Sequence, residues 1–542
     1  MVSRVPEGSV RPGRTLGGRF RRWRGWAVGG LLLAFGCSAA WPLTTRAASP
    51  TESASPWLID DQGREFRIEK FDKKVPHLRL DGNRLRTQMG ITFDLAGEDE
   101  QSFFIKVYRT TGVTAPPVPP RAAPEEKARV AATYEFELPV SQTLRFEPFD
   151  EGLPRSGQWR FGFVLADMNG DGHLDIVHGP PRRRPGPPVI FLGDGSGHWR
   201  QWGAASFPKQ RYDYGNVAVA DFNGDGRLDI VMGMHLLGIG VLLGDGAGRF
   251  TTASRGMDPL DPLTAFSSHA LVAVDWDGDG HVDVVALAEG PRLGMRRGGG
   301  ARELTGTSLG VVLYRNRGDS TWEKALSTQP LAGDVLVQAP SRWQGRPWLI
   351  AGSITRGQRD LIIRGGDPFV FEPLSGLRPG AQVRALALAD FDGDGLDDVA
   401  VGYVANEAEQ WRSGIDLVLR RADSRVERRT IVVEPGAFGV TALGTGDLDG
   451  DGRPDLVALS NNGETLVLRN AGGGAFTRED VQLTDRVAGC RGYHVRVQDI
   501  DGDGRAEIVA AFAAESEGLG TFRSEGCPGQ GSLRAWRSRP RS

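Results

Sequence analysis

From about residue 160 onward, short alternating apolar runs are broken at intervals by tight clusters of Asp, Asn and Gly. Val217-Ala218-Val219-Ala220 and Val495-Arg496-Val497 alternate with a period of two, the pattern of strands buried on one side. β-Branched pairs follow the polar clusters, as in Ile176-Val177, Ile230-Val231, Val284-Val285 and Ile508-Val509. The clusters therefore join strand to strand. In the third unit, Arg249-Phe250-Thr251, Leu271-Val272-Ala273-Val274, Val284-Val285-Ala286 and Val311-Val312-Leu313-Tyr314 read as four short strands.

The polar clusters are one nine-residue motif written six times. The first copy is Asp167-Met168-Asn169-Gly170-Asp171-Gly172-His173-Leu174-Asp175. The second has Asp221, Asn223, Asp225, Arg227 and Asp229 at the odd positions, and the third Asp275, Asp277, Asp279, His281 and Asp283. The fourth has Asp390, Asp392, Asp394, Leu396 and Asp398, and the fifth Asp447, Asp449, Asp451, Arg453 and Asp455. The last has Asp499, Asp501, Asp503, Arg505 and Glu507. Side-chain oxygens at positions 1, 3 and 5, a backbone carbonyl at position 7 and a carboxylate at position 9 form an all-oxygen donor set. That is the chemistry of Ca²⁺, which takes about 6–8 oxygens, whereas Mg²⁺ disfavours such protein cages. Gly at position 6 permits the sharp turn. An EF-hand needs a bidentate Glu at position 12 between helices. Position 12 here is His178, Met232, Ala286, Val401, Ala458 or Ala510.

The motifs begin at residues 167, 221, 275, 390, 447 and 499. The third and fourth are separated by about twice the usual interval, so a repeat is expected between them. Gly345-Arg346-Pro347-Trp348-Leu349-Ile350-Ala351 aligns with Gly452-Arg453-Pro454-Asp455-Leu456-Val457-Ala458. The donor positions then become Pro340, Arg342, Gln344, Arg346 and Trp348, which predicts a fourth unit without a metal. Seven four-stranded units suit a radial array, because ring closure leaves little exposed sheet edge. The last unit ends near Leu533-Arg534-Ala535-Trp536 and lacks an outer strand. Leu144-Arg145-Phe146-Glu147-Pro148 is similar to Phe369-Val370-Phe371-Glu372-Pro373 and is expected to complete it and close the ring.

The six loops and their spacing resemble the FG-GAP/VCBS repeat family of seven-bladed β-propellers, which includes the head of integrin α chains. The resemblance covers about residues 143–537. It implies an all-β fold with structural Ca²⁺ in six of seven blades and ligand binding elsewhere on the propeller. The Phe-Gly and Gly-Ala-Pro signatures of integrin repeats are mostly absent, so the resemblance extends to the fold and not to integrin-like recognition.

Charge and the N-terminus add a location. Residues 1–47 hold eight Arg and one Glu, so the overall charge of −3 conceals about −10 in the remainder. An acidic remainder argues against nucleic acid and for cations as partners. Arg14, Arg19, Arg21, Arg22 and Arg24 precede an apolar stretch from Trp26 to Ala40, the form of an export signal. It reads as a cleaved signal peptide, as a lipoprotein signal at Cys37, or as a retained anchor. The protein is thus expected to be exported: secreted, periplasmic or at the cell surface. Cys490 and Cys527 then form the expected disulfide. Residues 57–110 read as a small β module and 111–132 as a Pro-rich linker.

Four inserts, at 179–188, 288–309, 403–414 and 513–530, fall between second and third strands, on the face away from the metal loops. Two are basic, with Arg182, Arg183 and Arg184 in one and Arg292, Arg296, Arg297 and Arg302 in the other. These features point to a binding or adhesion module for an extracellular protein or acidic polysaccharide. There is no His-Glu-x-x-His, Gly-x-Ser-x-Gly or phosphate-cradling Gly-Lys-Ser. An extracellular carbohydrate-active enzyme, a lyase or hydrolase, is the alternative. It predicts Arg, His, Tyr or acids clustered around the central channel.

Overall fold

The computed structural model describes residues 138–541 except 181–185, 236, 261–265, 291, 297–300, 304–309, 328, 330, 353–359, 367, 408–409, 424, 436–438, 462, 482, 484–488 and 515–526. It also describes five strands between residues 57 and 109. The export signal, the linker and the arginines of the 179–188 insert lie outside the described residues. Among the described residues, no helix is long and apolar enough to cross a membrane.

Seven antiparallel sheets form the blades of a β-propeller. Blade 1 runs Phe163–Ala166, Asp175–His178, Val189–Gly193, Trp199–Gln201, and blade 2 runs Val217–Ala220, Asp229–Met234, Gly238–Gly244, Phe250–Thr252. Blade 3 runs Ser268–Val274, Asp283–Ala288, Val311–Asn316, Trp322–Leu326. Phe250–Thr252 is thus the outer strand of the second blade, not part of the third, because it pairs with Gly238–Gly244. Blade 4 runs Val335–Gln338, Trp348–Gly352, Leu361–Gly365, Phe369–Pro373, as the hidden repeat predicts. Blade 5 runs Gln382–Ala389, Asp398–Glu407, Gln410–Arg420, Val426–Pro435. Residues 403–414, expected as a loop insert, instead extend its two middle strands into a long hairpin, with Glu407 opposite Gln410. Blade 6 runs Val440–Gly446, Asp455–Ser460, Thr465–Gly472, Ala475–Glu479.

Blade 7 is made from both ends of the ring. Arg491–Gln498, Glu507–Ala513 and Gly531–Pro540 are joined by Leu144–Pro148, with Trp536 opposite Pro148 and Pro540 opposite Leu144. Val140–Ser141 adds a parallel fifth strand to blade 6, an element the sequence pattern does not announce. Glu479 binds this segment, accepting from Thr143 N at 3.1 Å and Leu144 N at 3.2 Å. The Cys490–Cys527 disulfide fastens the same blade.

The first strands of successive blades touch one another around a complete circle, so they form the inner ring. The core lies between blades rather than within one. Val177, Ile190 and Leu192 of blade 1, for example, pack with Ile230, Met232 and Leu242 of blade 2. In the N-terminal module, Trp57–Ile59 lies between Glu65–Arg67 and Arg84–Arg86. Ile91–Asp99 pairs with Ser102–Arg109, whose other edge takes Arg292–Arg296 from the blade 3 insert. That insert is therefore partly a strand addition and not simply a loop.

Polar ties also link the blades. Asn316 Nδ2 donates to Phe222 O of the preceding blade at 2.6 Å, and Asn470 Nδ2 to Phe391 O at 2.9 Å. Both asparagines are buried. Asn470→Ala leaves buried carbonyls unpaired, at roughly 1–3 kcal/mol. Denaturant unfolding should show that loss with the far-UV spectrum unchanged; an unaltered midpoint would show that the tie is unimportant.

Candidate functional site

Each of the six polar loops joins the inner strand of its blade to the second strand, so all six lie on one face of the ring. The first carboxylate organises the turn. Asp167 Oδ1 accepts from Gly170 N at 2.7 Å and Oδ2 from Gly172 N at 2.8 Å, and Asp221, Asp390 and Asp447 repeat this arrangement. Asp275 and Asp499 do the same with slightly longer bonds. Both glycines have positive φ, 73° and 86° in the first loop, which an L side chain would resist. In four loops the side-chain oxygens converge to within 4.8 Å of one another: Asp275, Asp277 and Asp279; Asp390, Asp392 and Asp398; Asp447, Asp449 and Asp455; and Asp499, Asp501 and Asp503. In the first two, Asn169 and Asn223 turn their amides to Asp171 and Asp225 at 2.8 and 3.2 Å.

Position 7 takes part through its backbone. The N–H groups of His173, Arg227, His281, Leu396, Arg453 and Arg505 donate to the position 5 carboxylate at 2.9–3.0 Å. The His173 and His281 rings lie against Gly195 and Gly318 of the next hairpin, where an added Cβ would come within 2.7 and 2.5 Å of them.

Position 9 is buried in every loop, and in five of the six it joins three strands. Asp175 Oδ2 accepts from Met168 N at 2.9 Å and Oδ1 from Gly193 N at 3.0 Å. Asp229, Asp283, Asp398 and Asp455 repeat both bonds, the second to Gly244, Asn316, Arg420 and Asn470. Burial raises these carboxyls, opposed by the two N–H bonds and reinforced by the neighbouring acids. Asp175, Asp229 and Asp283 move up to about 6, and Asp398, Asp455 and Glu507 to about 7. An all-oxygen set of this kind, negatively charged and partly dehydrated, fits a hard divalent cation.

Arginines that no motif marks surround the loops. Arg315 approaches Asp277 at 3.4 Å and Arg537 approaches Asp501 at 3.3 Å. Arg421 pairs with Asp392 and Asp394, Arg469 with Asp449, and Arg539 with Asp503. They come from the third strands or just beyond them, and offset part of the charge of four loops. Blade 4 replaces the carboxylates altogether. Trp343 and Arg346 exchange backbone bonds of 2.8 and 3.0 Å, Trp348 occupies position 9, and Arg420 lies over Trp343 and Trp348 at 4.2 and 4.6 Å.

The opposite mouth of the channel gathers a second group. It lies at the starts of the inner strands, and the sequence reading names none of it. Phe161 precedes the inner strand of blade 1 with a φ of 70°. Its ring lies 5.1 Å from Tyr214 and 4.5 Å from His269. Tyr214 stacks on His235 at 4.7 Å. Glu289 Oε2 is 3.1 Å from His235 Nδ1 and 3.1 Å from His269 Nε2, while His269 Nδ1 faces Asp334 at 3.4 Å. Arg160 and Arg491 lie over the Tyr493 ring at 5.1 and 5.2 Å. Further along their inner strands, Arg384 and Arg496 are solvent-accessible. Lost hydration, and then the charge of Arg491, hold Arg384 below the usual guanidinium range; lost hydration alone does so for Arg496. The sequence signal was faint: polar or aromatic residues, as in Ser267-Ser268-His269 and Tyr493-His494, where an inner strand should begin apolar.

Residues 167–232 and 416–510 match the model of the FG-GAP-like repeat. No curated protein gives a significant match. Among solved structures, the chain is similar to a chain in the crystal structure of BBS1N in complex with ARL6DN, soaked with lead, and to one in the same complex soaked with mercury. Identities are 11% and 12% over 74% and 72% of this chain and 97% and 95% of the other, with TM-scores of 0.40 and 0.41. The chain is thus a seven-bladed β-propeller that contains FG-GAP-like repeats over residues 167–232 and 416–510.

Proposed function

We propose that the protein is an exported, calcium-binding propeller that serves as a binding or adhesion module for an extracellular protein or polysaccharide. The observation that carries the calcium reading is the repetition of one oxygen-lined turn in six blades, each with a buried acid at position 9. Six Ca²⁺ would bring the charge of about −10 to about +2. The ions are structural: they fix the inner strand against the second and third.

The channel mouth supports an acidic polysaccharide as the ligand. Arg384, Arg491 and Arg496 offer guanidinium groups that match carboxylates, and Phe161, Tyr214 and Tyr493 offer flat faces for sugar rings. The same mouth favours a second reading. His269, Glu289 and Tyr214 are the residue types that the carbohydrate-active enzyme predicts around the channel. Incubation with polyuronate decides between them: retention without chain cleavage supports the binding module, and steady release of shorter chains supports the enzyme. Arg384→Ala should weaken polyuronate binding at least about tenfold, the scale of one charged hydrogen bond.

The calcium reading is tested on chelator-stripped, desalted protein. Titration should return about six Ca²⁺ per chain, with a melting temperature that climbs with Ca²⁺ concentration; each site adds about 2.7 kcal/mol at a hundredfold excess over its Kd. Asp394→Ala should lower the count by one. A stoichiometry near zero would remove the calcium and leave the fold.

A pH dependence follows from the raised position 9 carboxyls. Their folded values, about 6 to 7, exceed the ordinary 3.8 for Asp and 4.5 for Glu. The metal-free fold therefore takes up protons on folding, and this stabilisation is lost as pH rises through about 6 to 7. Stripped protein should melt lower at pH 8 than at pH 5. Calcium affinity should move the opposite way, since the ion needs the ionised form. A metal-free melting temperature that rises across this window would contradict the assignment.

A further inference from the structure

We propose that His235, His269 and Glu289 form a binding site for one zinc-type divalent ion, distinct from the calcium loops. The three residues come from neighbouring blades. His235 follows the second strand of blade 2, His269 lies in the inner strand of blade 3, and Glu289 follows the second strand of blade 3. They meet on the face opposite the six loops.

The geometry carries the inference. One carboxylate oxygen, Glu289 Oε2, is shared by two imidazole nitrogens, His235 Nδ1 and His269 Nε2, each at 3.1 Å. Zn²⁺ binds His nitrogen and carboxylate oxygen at ~2.0–2.1 Å in tetrahedral geometry, which places neighbouring donors about 3.4 Å apart. Both carboxylate–imidazole distances are within a few tenths of an ångström of that spacing. All three donor atoms already lie within 4.8 Å of one another. The side chains are 0%, 1% and 3% exposed, so the three donors are held in place by the surrounding packing.

The surroundings are those of a built site. Ser267 Oγ donates to Glu289 Oε1, and Oε2 faces the two imidazoles. His269 Nδ1 faces Asp334 Oδ1 at 3.4 Å. When that nitrogen carries the proton, the Nε2 lone pair points at Glu289. Two acceptors then face each other, and a cation between them resolves the conflict. The carboxylate–histidine pair is the outer-shell arrangement that fixes a ligating imidazole. Tyr214 stacks on both rings, at 4.7 and 5.6 Å, and Phe161 covers His269 at 4.5 Å. Two nitrogens and one oxygen suit Zn²⁺ and its neighbours in the first transition row, in contrast to the oxygen-only calcium loops. A tetrahedral shell needs one further ligand, water or a bound molecule.

The test uses the full chain with Ca²⁺ in saturating excess, so that the oxygen loops are filled, and Co²⁺ as a visible stand-in for Zn²⁺. One Co²⁺ per chain is expected, with the intense visible absorption of a four-coordinate nitrogen-and-oxygen site, displaced by one equivalent of Zn²⁺. His269→Gln should abolish the band. Should that variant fail to fold, Asp334→Asn, at a half-exposed position, should weaken Co²⁺ binding by about 10–100-fold with the melting temperature in calcium unchanged. Less than about a tenth of an equivalent bound at 100 µM Co²⁺, only the faint spectrum of an octahedral oxygen site, or undiminished binding in both variants would overturn the proposal. The three residues would then be a buried hydrogen-bonded triad.

Discussion

A single buried carboxylate, at the ninth position of the loop in six of the seven blades, is the constraint from which the ring is built. It begins the second strand, takes the N–H of the second loop residue on one oxygen and, in five of those blades, the N–H at the end of the third strand on the other. Three strands are thereby fixed at one end. The cost is a dehydrated charge, visible in carboxyls raised to about 6 or 7. A dehydrated carboxylate among other acids stays ionised only near positive charge, and in four loops an arginine from the third strand or just beyond it lies against the neighbouring acids. Blade 4 shows what is needed when the carboxylate is absent: a buried Trp348, a Trp343 turn closed on Arg346, and Arg420 over both indoles.

The loops also set the register between blades. Asn316, Asn470 and Ser538, all on third strands, donate to carbonyls at the second residue of the preceding loop. Trp199 and Trp322, which open outer strands, donate to Phe149 O and Ala253 O at 2.9 and 2.8 Å. A loop that held no fixed shape could not serve its neighbour in this way. The same register closes the ring, because Ser538 belongs to the strand that pairs with Leu144–Pro148.

How much of this is legible in the sequence follows from which contacts are local. The six loops could be read because their donors lie within nine residues and the chemistry is repeated. The blade without an acidic loop could be read because its second strand kept the pattern that followed Asp455. The closing strand could be read because Phe146-Glu147-Pro148 copies Phe371-Glu372-Pro373. A second repeat was overlooked: Gly193-Asp194-Gly195-Ser196-Gly197-His198-Trp199 and Gly244-Asp245-Gly246-Ala247-Gly248-Arg249-Phe250 are the third-to-fourth-strand hairpins that receive the position 9 carboxylate. The loop-neutralising arginines and the group around His269 were not legible. Arg537 and Asp501 are 36 residues apart, and Phe161 and Tyr493 more than 300, and only the closed ring brings such residues together.

That separation into two faces has a mechanical consequence. Every inner strand runs toward the loops, so the starts of all seven converge on the other mouth. There the ring holds groups that resist being held: Phe161 in the left-handed region, Arg384 and Arg496 short of hydration, and His494 kept neutral by burial and the nearby Arg496. Such strain persists only where the surroundings over-determine the conformation. The rigidity comes from the far face, through strands only 4 to 8 residues long. The loops and the mouth lie at opposite ends of the same inner strands, so what holds the loops in shape also steadies the mouth.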